Sequence, residues 1–479
     1  MGADSNLRVL DAGVVRPSNL QLPPCSLPLT FFDVKWLRPP PVQRLYLYRL
    51  HHHQDTTHLI SDLKVSLSKV LTLFYPLAGH VRLTPGAPNS NRYELFYQPG
   101  DGVSFTVAEY DTDIDDLAQD DPVQVAKLAP LVPPLPKGRA VLAVQATVLS
   151  AGQGLALGVT VHHTACDGAS STHFMDTWAA ACAGADMPPT PVIDRTLIAD
   201  PRGLYDIYCK GLPSDDEIEF VRSSVSSIPD DQLLATFTLP QELLHGVKNM
   251  LADEAAKQGA PSPRCSSLLA AFSFMWSCYC RAKQEQNQTK TTCFLFSVDH
   301  RERLKPPVPD RYLGNCLGPA IAAARHDEIA ATGKGGLLVA FMALSDALQQ
   351  EVGEGSQDRW DVCVERVKDA VKSGVLSVAD SPRFRVYSLD FGFGKPAKVD
   401  VLSVAKTSAI SVEEARNHGG GIEGGSDMLG TLVCDFGVPG FFFSGGIDEV
   451  VATMACWNKV SPVSPYLDDV RSGVGEGPM

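Results

Sequence analysis

The residues with the clearest chemical potential are VHHTACDG, 161–168, where two histidines close an apolar run and an aspartate and a glycine follow. A neutral imidazole can take a proton from a hydroxyl near physiological pH, and a nearby carboxylate can hold the turn that carries it. Residues 155–163, LALGVTVHH, read as a β-strand. With its two-residue period, Leu155, Leu157, Val159, Val161 and His163 share one face, and His162 falls on the other with Ala156, Gly158 and Thr160. His163 then ends an apolar stripe, where loss of hydration keeps the ring uncharged and available as a base. His162 is read as a packed or hydrogen-bonded structural residue. Asp167 lies in the following turn, ahead of Ser170 and Ser171, either of which can cap a helix carrying Phe174 and Trp178. The aspartate can bond local amides or pair with a distant arginine. Taken alone, a histidine and an aspartate at this spacing are a weak signal.

The elements that must position these residues are legible in part. Residues 140–149, AVLAVQATVL, form a second strand, joined to 155–163 by the turn-rich AGQG, which gives a hairpin inside a mixed α/β unit. Residues 61–75 put Leu63, Leu67, Val70, Leu71 and Phe74 on one helical face, with Ser61 and Asp62 as capping candidates and Pro76 as the stop. CSSLLAAFSFMWSCYC (265–280) reads as a buried helix and TTCFLFSVDHR (291–301) as a strand. Between the halves, residues 183–215 are rich in proline, glycine and aspartate and have no period. The expected division is a domain over 1–185, a crossover linker over 186–220 and a second, similarly built domain over 221–479.

Composition excludes several classes. A chain of 479 residues with 44% hydrophobic residues is long enough for two cores. Its net charge of -14, without a long basic run, is wrong for nucleic acid. The N-terminus MGADSNLRVLDAGVV lacks the pattern of a secretory signal, Asn6 breaks a myristoylation pattern, and no apolar stretch is long enough for a bilayer, so a soluble, cytoplasmic protein is expected. The 12 cysteines are scattered without a CxxC pair and read as reduced thiols. HHHQDTTH, 51–58, offers His51, His53 and His58, but in a polar stretch that reads as a solvated loop, and no metal is expected.

HTACDG, 163–168, resembles the HxxxDG motif of the BAHD acyltransferases, which transfer acyl groups from coenzyme A thioesters to alcohols or amines. LPLTFFDVKWL (27–37) is similar to that family's N-terminal signature and SLSKVLTLFYPLAG (66–79) to its first long helix. DFGFGKP (390–396) resembles its second motif, with Phe393 where tryptophan is commoner. Four matches in the family's order are far more specific than any one of them. PVIDRTLIADP (191–201) and YLGNC (312–316) look like the branch that malonylates glycosylated flavonoids and phenolic glucosides, with Leu313 in place of the usual phenylalanine.

The resemblance implies two chloramphenicol acetyltransferase-like domains, each mixed α/β, facing each other across a central channel. It implies direct transfer without a covalent acyl-enzyme, His163 taking the proton of a sugar hydroxyl. The implied partners are an acyl-CoA co-substrate, malonyl-CoA above all, and a glycosylated phenolic acceptor; no resident cofactor, metal, membrane or nucleic acid is implied, and a monomer is expected. Asp167 would pair with Arg301 of SVDHRERL and brace the site. Asp390, Gly392 and Gly394 would support it structurally through a tight backbone path. Ser381 is either an active-site residue or a turn serine before Pro382. Arg383 and Arg385, read as sharing a strand face, could meet a malonyl carboxylate or a CoA phosphate, or form a salt-bridged surface. Ser266 and Ser267 could cap the following helix or donate to a CoA phosphate. From about residue 424 the chain departs from the strand and amphipathic helix the family would show, being glycine-rich with an apolar cluster at 441–443. Poor packing is expected there, which leaves open a catalytically impaired homologue. An acetyl or hydroxycinnamoyl donor also stays open.

Overall fold

The computed structural model describes residues 7–51, 54–86, 92–150, 153–210, 232–239, 241–257, 259, 265–283, 291–331, 334–407, 409–416 and 430–436. The hairpin read from the alternation is present: strands Leu142–Leu149 and Gly154–Val161 pair antiparallel, Leu149 opposite Gly154. They lie inside a six-stranded mixed sheet ordered Leu7–Val15, Val103–Tyr110, Leu142–Leu149, Gly154–Val161, Val42–Arg49, Lys398–Val401. A seven-stranded sheet runs Leu317–Arg325, Thr291–Asp299, Val375–Ala379, Ile410–Glu414, Gly430–Phe436, Leu233–Leu239, Val123–Gln124. A three-stranded sheet, Cys25–Pro28, Tyr93–Tyr97 and His80–Leu83, completes the α/β architecture. Each large sheet takes one strand from the other half of the chain: Lys398–Val401 joins the first, Val123–Gln124 the second. The sheets therefore do not follow the sequence division at 185 and 221.

Apolar faces explain the layers. Helices Thr56–Leu71 and Gly168–Ala183 bury Leu63, Leu67, Val70, Phe174 and Trp178 in the core of the first sheet, and the indole N–H of Trp178 donates to the Leu63 carbonyl at 3.1 Å. Helix Ser267–Ala282 buries Phe272 and Trp276 with Phe294 of the second sheet. Each such side chain removed from water contributes roughly 1.5–3 kcal/mol. A third cluster, with Leu45, Leu47, Leu128, Leu234 and Val401, takes residues from both large sheets. Among the described residues no helix is long and apolar enough to cross a membrane.

Several local readings are corrected. The first long helix starts at Thr56, capped by Asp55, whose carboxylate accepts the Thr57 N–H at 2.9 Å; its polar first turn carries no apolar period, so Ser61 and Asp62 are interior. It ends at Leu71, and Pro76 belongs to a separate 3-10 turn, Tyr75–Ala78. The helix after the histidine motif starts at Gly168 with Asp167 as its cap, not Ser170 or Ser171. Residues 382–388 form two 3-10 turns, not a strand, so Arg383 and Arg385 share no strand face; Pro382 cannot donate to a ladder and Arg385 is left-handed at φ 47°. In the tail, Gly430–Phe436 is a strand paired antiparallel on both sides; the poor packing expected from about residue 424 concerns side chains outside those described. Residues 437–479, with the 441–443 cluster, lie outside the described residues.

Gly158, in the middle of the strand leading to the motif, shows how closely the chain approaches it: an added Cβ would lie 2.1 Å from the Leu131 carbonyl oxygen and 2.8 Å from Val132 Cα. Gly158→Ala is expected to destabilise the protein by about 1–3 kcal/mol through overpacking against backbone. Urea unfolding checks this; an unchanged midpoint and slope would contradict it.

Candidate active site

The strand carrying the motif ends at Val161, so alternation does not set the direction of His163. A turn does. The Ala165 N–H donates to the His162 carbonyl at 2.9 Å, and His162 Nδ1 accepts the Thr164 N–H at 3.2 Å. His162 is buried and holds this turn, the structural part read for it. His163 is half-buried at its edge.

His163 is oriented by Asn315, a fully buried residue 152 positions away, through a 3.1 Å contact between Nδ1 and the amide oxygen Oδ1. The amide nitrogen of Asn315 donates to Asp33 Oδ1 at 2.9 Å and to the His163 carbonyl at 2.9 Å. With its nitrogen facing acceptors, the amide has one consistent orientation, and Oδ1 is what meets the imidazole. Nδ1 must then carry the hydrogen, which leaves the lone pair on Nε2. No described residue bonds to Nε2. Trp36 covers the ring, stacked at 3.6 Å between centres and 12° between planes.

Burial dominates the electrostatics of this imidazole and pushes its pKa below the ordinary value. The negative charge of Asp167 and the Asn315 hydrogen bond oppose that effect, and the Lys35 ammonium adds to it. The ring is therefore neutral at pH 7, with Nε2 able to accept a proton.

Asp33 belongs to the short helix Phe31–Val34 of the LPLTFFDVKWL stretch. Its Oδ2 accepts the N–H and hydroxyl of Thr30 at 2.8 and 2.7 Å in a capping box, which frees Oδ1 for Asn315. Arg195 stands 3.5 Å from Oδ2, and its guanidinium donates to the Tyr312 hydroxyl at 2.9 Å. Part of the segment read as a linker thus packs into the site. Gly314 is required there, since a Cβ would fall 1.7 Å from that guanidinium.

Asp167 and Arg301 form the expected pair, both buried, with two 2.9 Å contacts in a bidentate arrangement. The carboxylate also accepts the N–H of Ser170 at 3.0 Å and of Cys316 at 3.1 Å, while Arg301 reaches the Tyr312 and Gly314 carbonyls at 3.3 and 3.2 Å. Asp167 makes no hydrogen bond to His163. It fastens the 312–316 loop that presents Asn315.

The other residues singled out from the sequence fall around this centre unevenly. Asp390 Oδ1 accepts the N–H groups of Gly392 and Gly394 at 2.8 and 3.0 Å, and both glycines have positive φ, 97° and 107°, so this is a tight turn only glycine suits. Ser381 Oγ accepts the Arg383 N–H at 3.3 Å, capping a 3-10 turn whose Phe384 packs on Gly168 of the motif. Arg383 and Arg385 point from that turn as exposed residues. Ser266 caps helix Ser267–Ala282 through the Leu269 N–H at 3.2 Å, and Ser267 accepts from Lys248 at 2.8 Å. No three His, Cys, Asp or Glu side chains among the described residues are grouped to hold a metal. Asn315, Asp33, Trp36 and Arg195 escaped the sequence reading, although each lies in a stretch quoted there.

Breaking a buried ion pair from one side strands a charge. Asp167→Ala and Arg301→Met are each expected to cost about 3–5 kcal/mol, and the double variant less than their sum. Guanidinium unfolding of the three variants checks this; additive costs would contradict it.

The sequence profile of the Transferase family matches residues 7–424. The chain is 31% identical over 451 residues to phenolic glucoside malonyltransferase 1 of Arabidopsis thaliana, across 89% of this chain and 95% of that protein. It is 32% identical over 418 residues to malonyl-CoA:anthocyanidin 5-O-glucoside-6''-O-malonyltransferase of the same plant, across 84% and 90% of the two chains. Its fold is similar to that of vinorine synthase, with a TM-score of 0.64, 19% identity, and coverage of 90% and 94%. A family match over nearly the whole chain, with relatives above 30% identity along most of their length, shows that the chain belongs to the BAHD acyltransferase family and is an acyl-transferring enzyme.

Proposed function

We propose that the protein transfers a malonyl group from malonyl-CoA to a sugar hydroxyl of a flavonoid or phenolic glucoside, with His163 as the general base. The observation that carries the base is the imidazole whose Nδ1 is tied to Asn315 and whose Nε2 meets no partner among the described residues. The donor and acceptor classes rest on the malonyltransferase relatives.

The acceptor hydroxyl donates its proton to Nε2 as its oxygen attacks the thioester carbonyl carbon. A tetrahedral intermediate forms, the carbon–sulfur bond breaks, and the proton on Nε2 passes to the departing thiolate, giving ester and free CoA thiol. No acyl-enzyme is needed because the thioester is already activated and the base only sharpens the alcohol. The imidazolium formed in passing is favoured by the negative charge of Asp167. Trp36 and Asn315 keep the ring from rotating between the two proton transfers.

His163→Ala is expected to lower kcat by roughly 10²- to 10⁴-fold with the protein still folded. CoA release from malonyl-CoA with a panel of phenolic glucosides measures it, and an unchanged rate would refute the assignment.

The pH dependence follows from the lowered pKa. The base works only when neutral, so kcat/KM should rise with pH through the His163 pKa, below the ordinary imidazole value of about 6.5, and level off above it. Asn315→Ala removes the hydrogen bond that favours imidazolium and should move that rise to lower pH. A pH profile of the two proteins decides; a rise in the variant at the same or higher pH would contradict the orienting role of Asn315.

A further inference from the structure

We propose that Lys35 holds the free carboxylate of the acyl donor beside His163, so that the site selects donors whose acyl group ends in a carboxylate. This rests on the acyl-transfer reading above and adds the residue that sets donor class. Most cations near the motif are already matched. Arg301 is paired with Asp167 and Asp299, Arg195 faces Asp33 at 3.5 Å, and Arg44 is paired with Asp380 at 2.6 Å. Each already has its anion. Lys35 has none within ion-pair distance among the described residues.

Its ammonium carries three N–H donors and, among the described residues, meets one acceptor, the Leu317 carbonyl. Glu351, the buried carboxylate nearest in influence, is engaged by His300 at 3.1 Å. Burial depresses the Lys35 pKa, against the opposing influence of Cys363, Glu351 and Asp33, none of which pairs with it directly. A carboxylate brought by the substrate would supply what the protein leaves out.

Position agrees. The ammonium is 5.4 Å from the Phe32 ring centre and 5.9 Å from that of Trp36, and Trp36 stacks on His163 at 3.6 Å. Ammonium and imidazole are thus within about 10 Å of each other. Two hydrogen bonds of about 3 Å, with the attacking oxygen, the acyl carbon, a methylene and a carboxylate between them, cover that span. A malonyl group has one methylene between thioester and carboxylate, so a carboxylate seated on Lys35 brings the reacting carbon toward Nε2. Arg383 and Arg385, the cations the sequence reading offered for this part, are exposed on a turn and stay hydrated.

The test compares wild-type protein with Lys35→Met and Lys35→Arg, using malonyl-CoA and acetyl-CoA. Two quantities are read for each pair: kcat/KM with a phenolic glucoside, and the donor dissociation constant by calorimetry, which needs no turnover. The wild type should favour malonyl-CoA in both. Lys35→Met should lose malonyl-CoA preference by about ten- to a hundredfold, the range of a charge-assisted hydrogen bond, with acetyl-CoA binding little changed, and Lys35→Arg should recover part of it. Malonyl preference intact in Lys35→Met, or both donors weakened alike, overturns the assignment while leaving malonyl transfer standing. A wild-type protein that binds and uses acetyl-CoA but not malonyl-CoA overturns the donor reading and the Lys35 role together.

Discussion

The site depends first on the buried ion pair between Asp167 and Arg301. An ion of either sign alone in that environment would be costly, and each is made tolerable only by saturating its hydrogen bonds. Asp167 uses both oxygens, on Arg301, on the helix start at Ser170 and on the Cys316 amide. Arg301 adds the carbonyls of Tyr312 and Gly314. Neither partner can move without stranding the other, so two segments 134 residues apart are locked together. What this lock delivers is the 312–316 loop, and through it Asn315 beside His163.

The imidazole is shaped by opposing influences. Burial under Trp36 favours the neutral ring; Asp167, without touching it, favours the charged one; burial is the larger. A group that is neutral at rest yet has a carboxylate in range suits a base that must be charged only in passing. The same logic runs through the seam between the sheets. There Arg44 is paired with Asp380, and burial together with the Asp380 charge keeps Glu413 protonated well above the usual carboxylate range. In that seam one cation is matched to one anion, and the further acid stays neutral.

How much of this was legible in the sequence depends on the distance between partners along the chain. The 142–149 and 154–161 hairpin, the 267–282 helix and the 291–299 strand follow from local periodicity, which survives folding. The Asp167–Arg301 pair was reached by family resemblance, not by spacing. Asn315 stood in a quoted stretch, yet nothing local announces that its amide turns toward a histidine 152 residues earlier or an aspartate 282 earlier. The reading failed where a local rule met a stronger one. A strand through 383 and 385 gives way to Pro382 and a left-handed Arg385, and a glycine-rich tail supplies a strand at 430–436 because two neighbouring strands present an open ladder.

The proposed chemistry needs His163 to rest as a neutral ring with hydrogen on Nδ1 and the lone pair on Nε2. Nitrogen-15 NMR of the histidine-labelled protein, with His163→Gln to assign the signal, reads tautomer and charge directly. The account requires the Nδ1–H tautomer at pH 7, titrating below the ordinary imidazole pKa of about 6.5. An Nε2–H tautomer, or an imidazolium at pH 7, would contradict it, because neither leaves a lone pair on Nε2 to take a proton.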